Sequence, residues 1–586
     1  MPGSDSYEGQ PLMIMNKPKA TRNGYKPILP RHREWPVVRL SKNRRAFVET
    51  VIRLSMDKIR ERASTTEQLV DELEATLYKE RLRIRENPWA VDPNDEELFW
   101  KKVKRRLVGM SSQAEPEREA EAVLRDIVSR YAHEIASNFR PSRYRLARQI
   151  VTFGFARLLN ASRVKGFRSL YSRQYTLWDK IKIVGEIDQL RHLAQKGTIV
   201  MVPTHFSNLD SILIGWVIHE LGLPPFIYGA GLNLFNINVL AYFMNSLGTY
   251  KVDRRKKNSV YIETLKEYSN LALQWGIHSL FFPGGGRSRS GSIEQRLKLG
   301  LLGTAMEAQR INYAESEQSG QPAEKIFVVP VVLNYHFVLE APSLIREHLR
   351  REGQERYYIE GDESATSFKI TKFLLKFFTK GSDISVSIGA AMDLLGNPVD
   401  EAGHSLDKQG NVISMREYFC TQGTITRDEQ REQEYTRMLG QAIVKSYYRI
   451  NQVFSSHLVA FVAFEIIRQQ YHYLDLYNLL RLPEEDLMIP YRRFRRSCEQ
   501  VRDEVLRLQS QGRVNIAPHL RDALDTVIEH GLSNVGLYHA RRPLLKDKEG
   551  NIVTANLNAL YYYHNRLEGY ELDRMVQPLT TQTLAY

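Results

Sequence analysis

The sequence predicts an α/β protein: a mixed, largely buried sheet in the middle of the chain, with helical regions on both sides. Two observations predict this. Short β-branched runs alternate with helical stretches between about residues 180 and 390, which is the pattern of a sheet covered on its faces. Outside that zone, apolar residues recur at helix-like intervals. The expected division is a flexible basic tail over 1–45, an N-terminal helical region over 46–170, the α/β domain over 171–400, and a mostly helical C-terminal region over 401–586.

The tail rests on composition. The first fifty residues carry ten lysines and arginines against four acidic residues, and the first thirty-five are polar and dotted with proline. They contain no apolar stretch of the kind a signal peptide needs, so none is expected. From Arg45 to Gly166, residues Val51, Leu54, Ile59, Leu69, Leu73 and Leu77 keep helical spacing. Strands are predicted at Lys182–Val184, Thr198–Val202, His278–Phe282, Ile326–Leu333 and Ile384–Ile388, with a helical stretch from Ile187 to Gln195 between the first two. Thr426-Arg427-Asp428-Glu429 reads as a capping box opening the next helix, and helices are predicted on to about Ile528.

Across 586 residues the chain has 82 Lys and Arg, 68 Asp and Glu, and a formal net charge of +14. Such an excess favours polyanions: nucleic acid, anionic lipid or phosphorylated substrates. Two cysteines, Cys420 and Cys498, sit in no paired spacing, which argues against a disulfide framework or a cysteine-based zinc site. The two most apolar stretches, Ser211–Leu247 and His457–Leu480, are broken by charged residues and, in the first, by Pro224-Pro225. A bilayer span needs about 18 or more consecutive apolar residues, so no transmembrane helix is expected and any membrane contact is peripheral.

Chemistry concentrates in four stretches. In Pro203-Thr204-His205-Phe206-Ser207-Asn208-Leu209-Asp210, a strand gives way to a helix. His205 and Asp210 would lie about 140° apart on a continuous helix. They meet only if His205 sits on the turn and folds back over the first helical turn. Asp210 would then hold one ring nitrogen and leave the other as a base for a hydroxyl; the alternative is a helix cap complementing the dipole. Next come Gly248-Thr249-Tyr250-Lys251-Val252-Asp253-Arg254, then Phe281-Phe282-Pro283-Gly284-Gly285-Gly286-Arg287-Ser288-Arg289-Ser290-Gly291 after a strand, and finally Val328-Val329-Pro330-Val331-Val332. Glycines let backbone N–H groups approach an anion; Arg254, Arg287 and Arg289 suit a phosphate dianion. The spacing Gly286 to Gly291 is that of a nucleotide phosphate loop, but Ser292 stands where such a loop needs lysine.

In order and spacing these stretches resemble the four motifs of the glycerolipid acyltransferases: His-x4-Asp, Gly-x-x-Phe-Ile-x-Arg, Phe-x-Glu-Gly-x-Arg-Ser and a Val/Ile-Pro-Val strand. The resemblance covers about residues 180 to 393 and makes 171–400 the expected acyltransferase domain. It implies His205 and Asp210 as the catalytic pair. Arg254, Gly285, Gly286, Arg287, Ser288 and Arg289 are implied as the acceptor phosphate site, and Pro330 as a residue on the acyl-donor side; an edge-strand breaker is the plain alternative for Pro330. Ser288-Arg289-Ser290-Gly291 is similar to the glycerol-3-phosphate acyltransferases, and Pro283 to the lysophosphatidate branch. The third-motif glutamate, thought to help order the acceptor site, is Gly284 here. A glycine there leaves room for a larger acceptor or for water.

With no Gly-x-Ser-x-Gly elbow and no cysteine near a motif histidine, an acyl-enzyme is not expected. The implied reaction is direct attack by glycerol 3-phosphate or lysophosphatidate on an acyl-CoA or acyl-carrier-protein thioester; the sequence identifies no oxyanion donor, and a backbone N–H near Phe206 is one candidate. No metal and no cofactor beyond that co-substrate is implied. The expected location is the cytoplasmic side of an anionic membrane surface. Lys369–Lys380, with lysines on one side and Ile370, Phe373, Leu374, Leu375, Phe377 and Phe378 on the other, is a candidate contact helix. A nucleic-acid-binding module would use Lys101–Arg106 and Arg492–Arg496, but neither cluster sits in a recognisable binding motif, so no nucleic-acid partner is expected. A catalytically inactive lipid-binding scaffold is the third alternative.

Overall fold

In the computed structural model, which describes residues 24–88, 92–110, 114–146, 149, 181–231, 248–352 and 383–576, β-branched runs build a seven-stranded sheet. Its strands are β1 (Ile181–Gly185), β2 (Gly197–Pro203), β3 (Ile227–Gly231), β4 (Thr249–Val252), β5 (Ser279–Leu280), β6 (Lys325–Tyr335) and β7 (Ile384–Ile388). Their order is β1-β7-β6-β2-β5-β3-β4. Every pairing is parallel except β6 with β7. All seven residues of β2 are buried, and β6 is buried from Ile326 to Tyr335. Both strands have neighbours on each side, and covered sheets of this kind take continuous apolar runs rather than alternation.

Two strands carry no strong pattern in the sequence. β3 contains two glycines, and a Cβ at Gly229 would lie 2.9 Å from the Tyr250 hydroxyl. The glycine is there so that a tyrosine ring of β4 can cross the strand. β5 is shorter than predicted: after Leu280 the chain leaves the sheet to form the glycine-rich loop.

Helices cover the sheet. The N-terminal region supplies α1 (Pro36–Lys42), α2 (Arg44–Arg62), α3 (Thr66–Glu86), α4 (Glu96–Val108) and α5 (Pro116–Ile135). A Thr65–Gln68 capping box starts α3, which buries Leu69, Leu73 and Leu77 on one face. The α/β domain adds α6 (Ile187–Leu193), α7 (Asp210–Glu220), α8 (Ser259–Gln274), α9 (Gly300–Ser319) and α10 (Ala341–Arg351). In the C-terminal region are α11 (Glu429–Ile450), α12 (Ser455–Gln470), α13 (Tyr491–Ser510), α14 (Leu524–Asn534) and α15 (Leu557–His564). Helices α2 and α5 pack on α8, and α12 is the centre around which α13, α14 and α15 gather.

Three expectations need correction or lie out of reach. Residues 24–45 are no free tail: Tyr25 and Ile28 donate backbone hydrogen bonds to Glu220 and Gly222, and α1 buries Val37, Val38 and Leu40. Apolar spacing won over local charge. Helix α11 is capped by Asp428, whose side chain accepts from the Arg431 N–H at 3.0 Å. Thr426 instead shares a hydrogen bond with Thr421. The candidate contact helix Lys369–Lys380 lies outside the described residues, as does most of 147–180. No helix among the described residues is long and apolar enough to cross a membrane.

Candidate active site

Strand β2 ends at Pro203 and α7 begins at Asp210, so His205 stands on the turn between them. Asp210 is fully buried. Its Oδ2 lies 2.8 Å from His205 Nδ1 and accepts the N–H groups of Phe206 at 2.6 Å and Ser207 at 2.9 Å. Its Oδ1 accepts the Tyr335 hydroxyl. An ionised carboxylate only accepts, so the proton of a neutral His205 belongs on Nδ1 and Nε2 is the basic nitrogen. The imidazole stacks on Phe282 at 4.1 Å between ring centroids and keeps 12% of its side chain exposed, enough for a small hydroxyl to reach it.

Every backbone N–H of this turn has a partner. Thr204 donates to Val331 O, His205 to Glu294, Phe206 and Ser207 to Asp210, Asn208 to Glu340, Leu209 to Ser207 Oγ, and Asp210 to Ser207 O. The turn is rigid because its donors are all spent. The same accounting removes the expected oxyanion donor near Phe206, whose N–H belongs to Asp210.

The loop after β5 docks on this turn. Ser288 N–H donates to His205 O at 2.6 Å, so the arginine-bearing segment is bonded to the backbone of His205 itself. Gly291 has φ +87°, and a Cβ there would lie 2.1 Å from Tyr562 O, so only glycine fits beneath α15. Asn565 donates to Ser290 O at 2.9 Å. Gly284 and Gly285 do not lie open to an anion: the side chains of Glu294 and Lys298 cross them, and Gly285 N–H closes a turn onto Phe282 O. Ser288 Oγ donates to Ser292 O. Gly285 and Ser288 therefore shape the loop, and Gly286 is the glycine that faces an arginine.

That arginine is Arg254, whose guanidinium lies 3.5 Å from the Cβ position of Gly286. Its neighbour Arg255 is tied to Asp253 and Asp92. Arg254 makes no ion pair with a described residue. Lost solvation and the charges of Arg289 and Arg287 hold its pKa below the ordinary arginine value. Three guanidinium groups thus converge and repel, an arrangement that an anion would relieve. Arg287 is oriented by Glu340 at 3.4 Å, and Arg289 pairs with Glu347 of α10 at 2.8 Å.

Pro330 is on an interior strand rather than an edge. It pairs with Val202, and the register between β6 and the chain after β7 shifts by one residue between Val331↔Ile388 and Val328↔Met392. This bulge falls where proline lacks its donor. Four site residues were absent from the sequence prediction: Tyr335, Glu340, Glu294 and Arg566. The last is buried, lies 4.0 Å over the Phe206 ring and donates to Leu333 O at 2.7 Å. They come from three separate places in the chain and share no local spacing with His205.

One histidine group among the described residues has metal-like spacing: His336, His519 and His530, with nitrogens within 4.8 Å of one another. Ser455 N–H donates to His519 Nε2 at 3.1 Å, which puts that ring's proton on Nδ1. His336 Nδ1 rests on the Ser456 hydroxyl and His530 Nδ1 on that of Ser455. Burial, then the neighbouring His530, push His519 down to about 4. A neutral His519 so arranged has no lone pair to give a cation, and the group is a hydrogen-bonded ring cluster.

Residues 185–334 match the protein family described as Acyltransferase. A mostly parallel sheet presenting a His–Asp pair beside an arginine loop lies in this segment, which is an acyltransferase domain. Within it, the chain is similar to bacterial proteins named glycerol-3-phosphate acyltransferase. It is 28% identical over 239 residues to that of Pseudomonas aeruginosa, covering 41% of this chain and 25% of the relative. It is 26% identical over 242 residues to that of Pseudoalteromonas atlantica, covering 41% and 26%. With the Actinobacillus succinogenes protein it shares 32% over 185 residues, covering 31% and 21%. The matched segment thus spans about a quarter of the length of these relatives.

Proposed function

We propose that the protein transfers a fatty-acyl group from acyl-CoA or an acyl carrier protein to the sn-1 hydroxyl of glycerol 3-phosphate, at the cytoplasmic surface of a membrane. The observation that carries this reading is the hydrogen bond from Ser288 N–H to His205 O, which sets a general base and a cationic loop in one rigid frame. In the reaction, the arginines hold the acceptor phosphate and His205 Nε2 takes the proton of the acceptor hydroxyl. The oxygen forms its bond to the thioester carbonyl carbon, the carbon–sulfur bond breaks, and the thiolate leaves to be protonated. Holding both partners makes the step effectively intramolecular. Asp210 stabilises the imidazolium that forms.

The test offers glycerol 3-phosphate and lysophosphatidate side by side, each with acyl-CoA and acyl carrier protein donors. Glycerol 3-phosphate is expected to give the higher kcat/KM. A preference for lysophosphatidate reassigns the acceptor, and no transfer to either removes the reading.

The arginines make a second prediction. Arg254→Ala and Arg287→Ala are expected to raise the acceptor KM by about 10- to 100-fold, the worth of a charge-assisted hydrogen bond, with a smaller change in kcat. Arg289→Ala should raise it less, because that charge is already paired with Glu347. If donor saturation moves instead, the arginines face the phosphates of the carrier.

A further inference from the structure

Gly284 stands where the motif Phe-x-Glu-Gly-x-Arg-Ser, which this stretch resembles, has glutamate, yet a carboxylate occupies its surroundings. Ten residues on, the chain folds back across the glycine run: Lys298 N–H donates to Pro283 O at 2.7 Å, and the Lys298 side chain covers Gly285. On that return path Glu294 lies over Gly284. A Cβ at Gly284 would meet Glu294 Cγ at 2.9 Å and Oε1 at 3.2 Å, so a side chain at 284 and the present Glu294 exclude each other.

We infer that Glu294 is the positioning carboxylate of this site, entering from position 294 the space that a glutamate at 284 would enter from the other side. Its Oε1 accepts the His205 N–H at 2.9 Å. With Asp210 taking the next two N–H groups, two carboxylates clamp three consecutive donors on the turn that carries the base. The Oε2 atom is out of solvent without a hydrogen-bond partner among the described residues. Burial pushes the carboxyl up to about 7. A group so poorly compensated is a poor choice for stability alone. Its geometry accounts for its place: it fixes where His205 stands against Asp210 and the arginine loop.

For its activity readout this assignment rests on the acyl-transfer reading above. The test therefore pairs kinetics with a stability cycle that needs no activity. Glu294→Ala is expected to lower kcat by about tenfold or more, the scale of one lost buried hydrogen bond, with acceptor KM little changed and no fall in melting temperature. Glu294→Gln keeps an oxygen for the His205 N–H and is expected to stay within about threefold of the parent. Gly284→Glu alone should lower both melting temperature and turnover, because its Cβ meets Glu294. Adding Glu294→Gly to it should recover both. Equal loss in the glutamine and alanine variants overturns the positioning role. A double variant no better than Gly284→Glu overturns the shared space. If the parent transfers no acyl group while the 284/294 stability coupling is found, the functional reading fails and the shared space stands.

Discussion

Replacing His205 with alanine is expected to lower kcat by about 10²–10⁴-fold, the usual contribution of a general base, and to leave the melting temperature nearly unchanged. The second half follows from the partners of Asp210. Removing the imidazole costs the buried carboxylate one of four donors. Phe206 N–H and Ser207 N–H still reach Oδ2, and the Tyr335 hydroxyl still reaches Oδ1. The turn keeps all of its backbone hydrogen bonds, since none uses the ring. The lost stacking on Phe282 is at a partly open position. Turnover at saturating acceptor and donor, read beside a thermal melt, checks both halves. Near-normal turnover would take His205 out of the mechanism.

How much of this site the sequence disclosed depends on how local each contact is. The His205–Asp210 pairing was legible because a strand, a turn and a helix follow one another within a dozen residues, and the five-residue spacing allows one geometry for contact. β2, β6 and β7 were legible as β-branched runs, since interior strands of a covered sheet need them. β3 was not, because Gly229 and Gly231 trade side chains for close approach. The glycine run was read as an open cradle for phosphate. It is largely a bed for Glu294 and Lys298, and nothing in the spacing of residues 284 to 298 says that the chain doubles back.

The contribution of the C-terminal region could not be read at all. Arg566 meets Phe206 across 360 residues of chain, and the Tyr447 hydroxyl donates to Val202 O at 2.9 Å. Burial pulls Arg566 down to about 10, and it is held by Leu333 O and Asn334. A buried cation with carbonyl partners, over a ring next to His205, ties the C-terminal helices to the turn. Those helices are thus part of the frame of the candidate site, although the family match stops at residue 334.

Asp210→Asn is expected to cost nearly as much activity as the loss of His205, about 10²-fold or more, in a protein that stays folded. The argument turns on which atom of the amide goes where. With the asparagine oxygen in the place of Oδ2, the His205 Nδ1–H, Phe206 N–H and Ser207 N–H keep their acceptor. The amide nitrogen then faces the Tyr335 hydroxyl, which can rotate from donor to acceptor. The turn is preserved and His205 keeps the right tautomer. What goes is the negative charge. When His205 takes the acceptor proton it becomes a cation at a partly buried position, and a neutral amide stabilises that cation far less than a carboxylate. The loss should therefore appear in kcat, with acceptor KM little moved because the arginines are untouched. Tyr335→Phe is the control. It removes one neutral hydrogen bond to Oδ1 but leaves the charge and the His205 contact, so kcat should fall by less than about tenfold. If asparagine at 210 turns over like the parent, the charge of Asp210 serves to cap α7, and the histidine works without it.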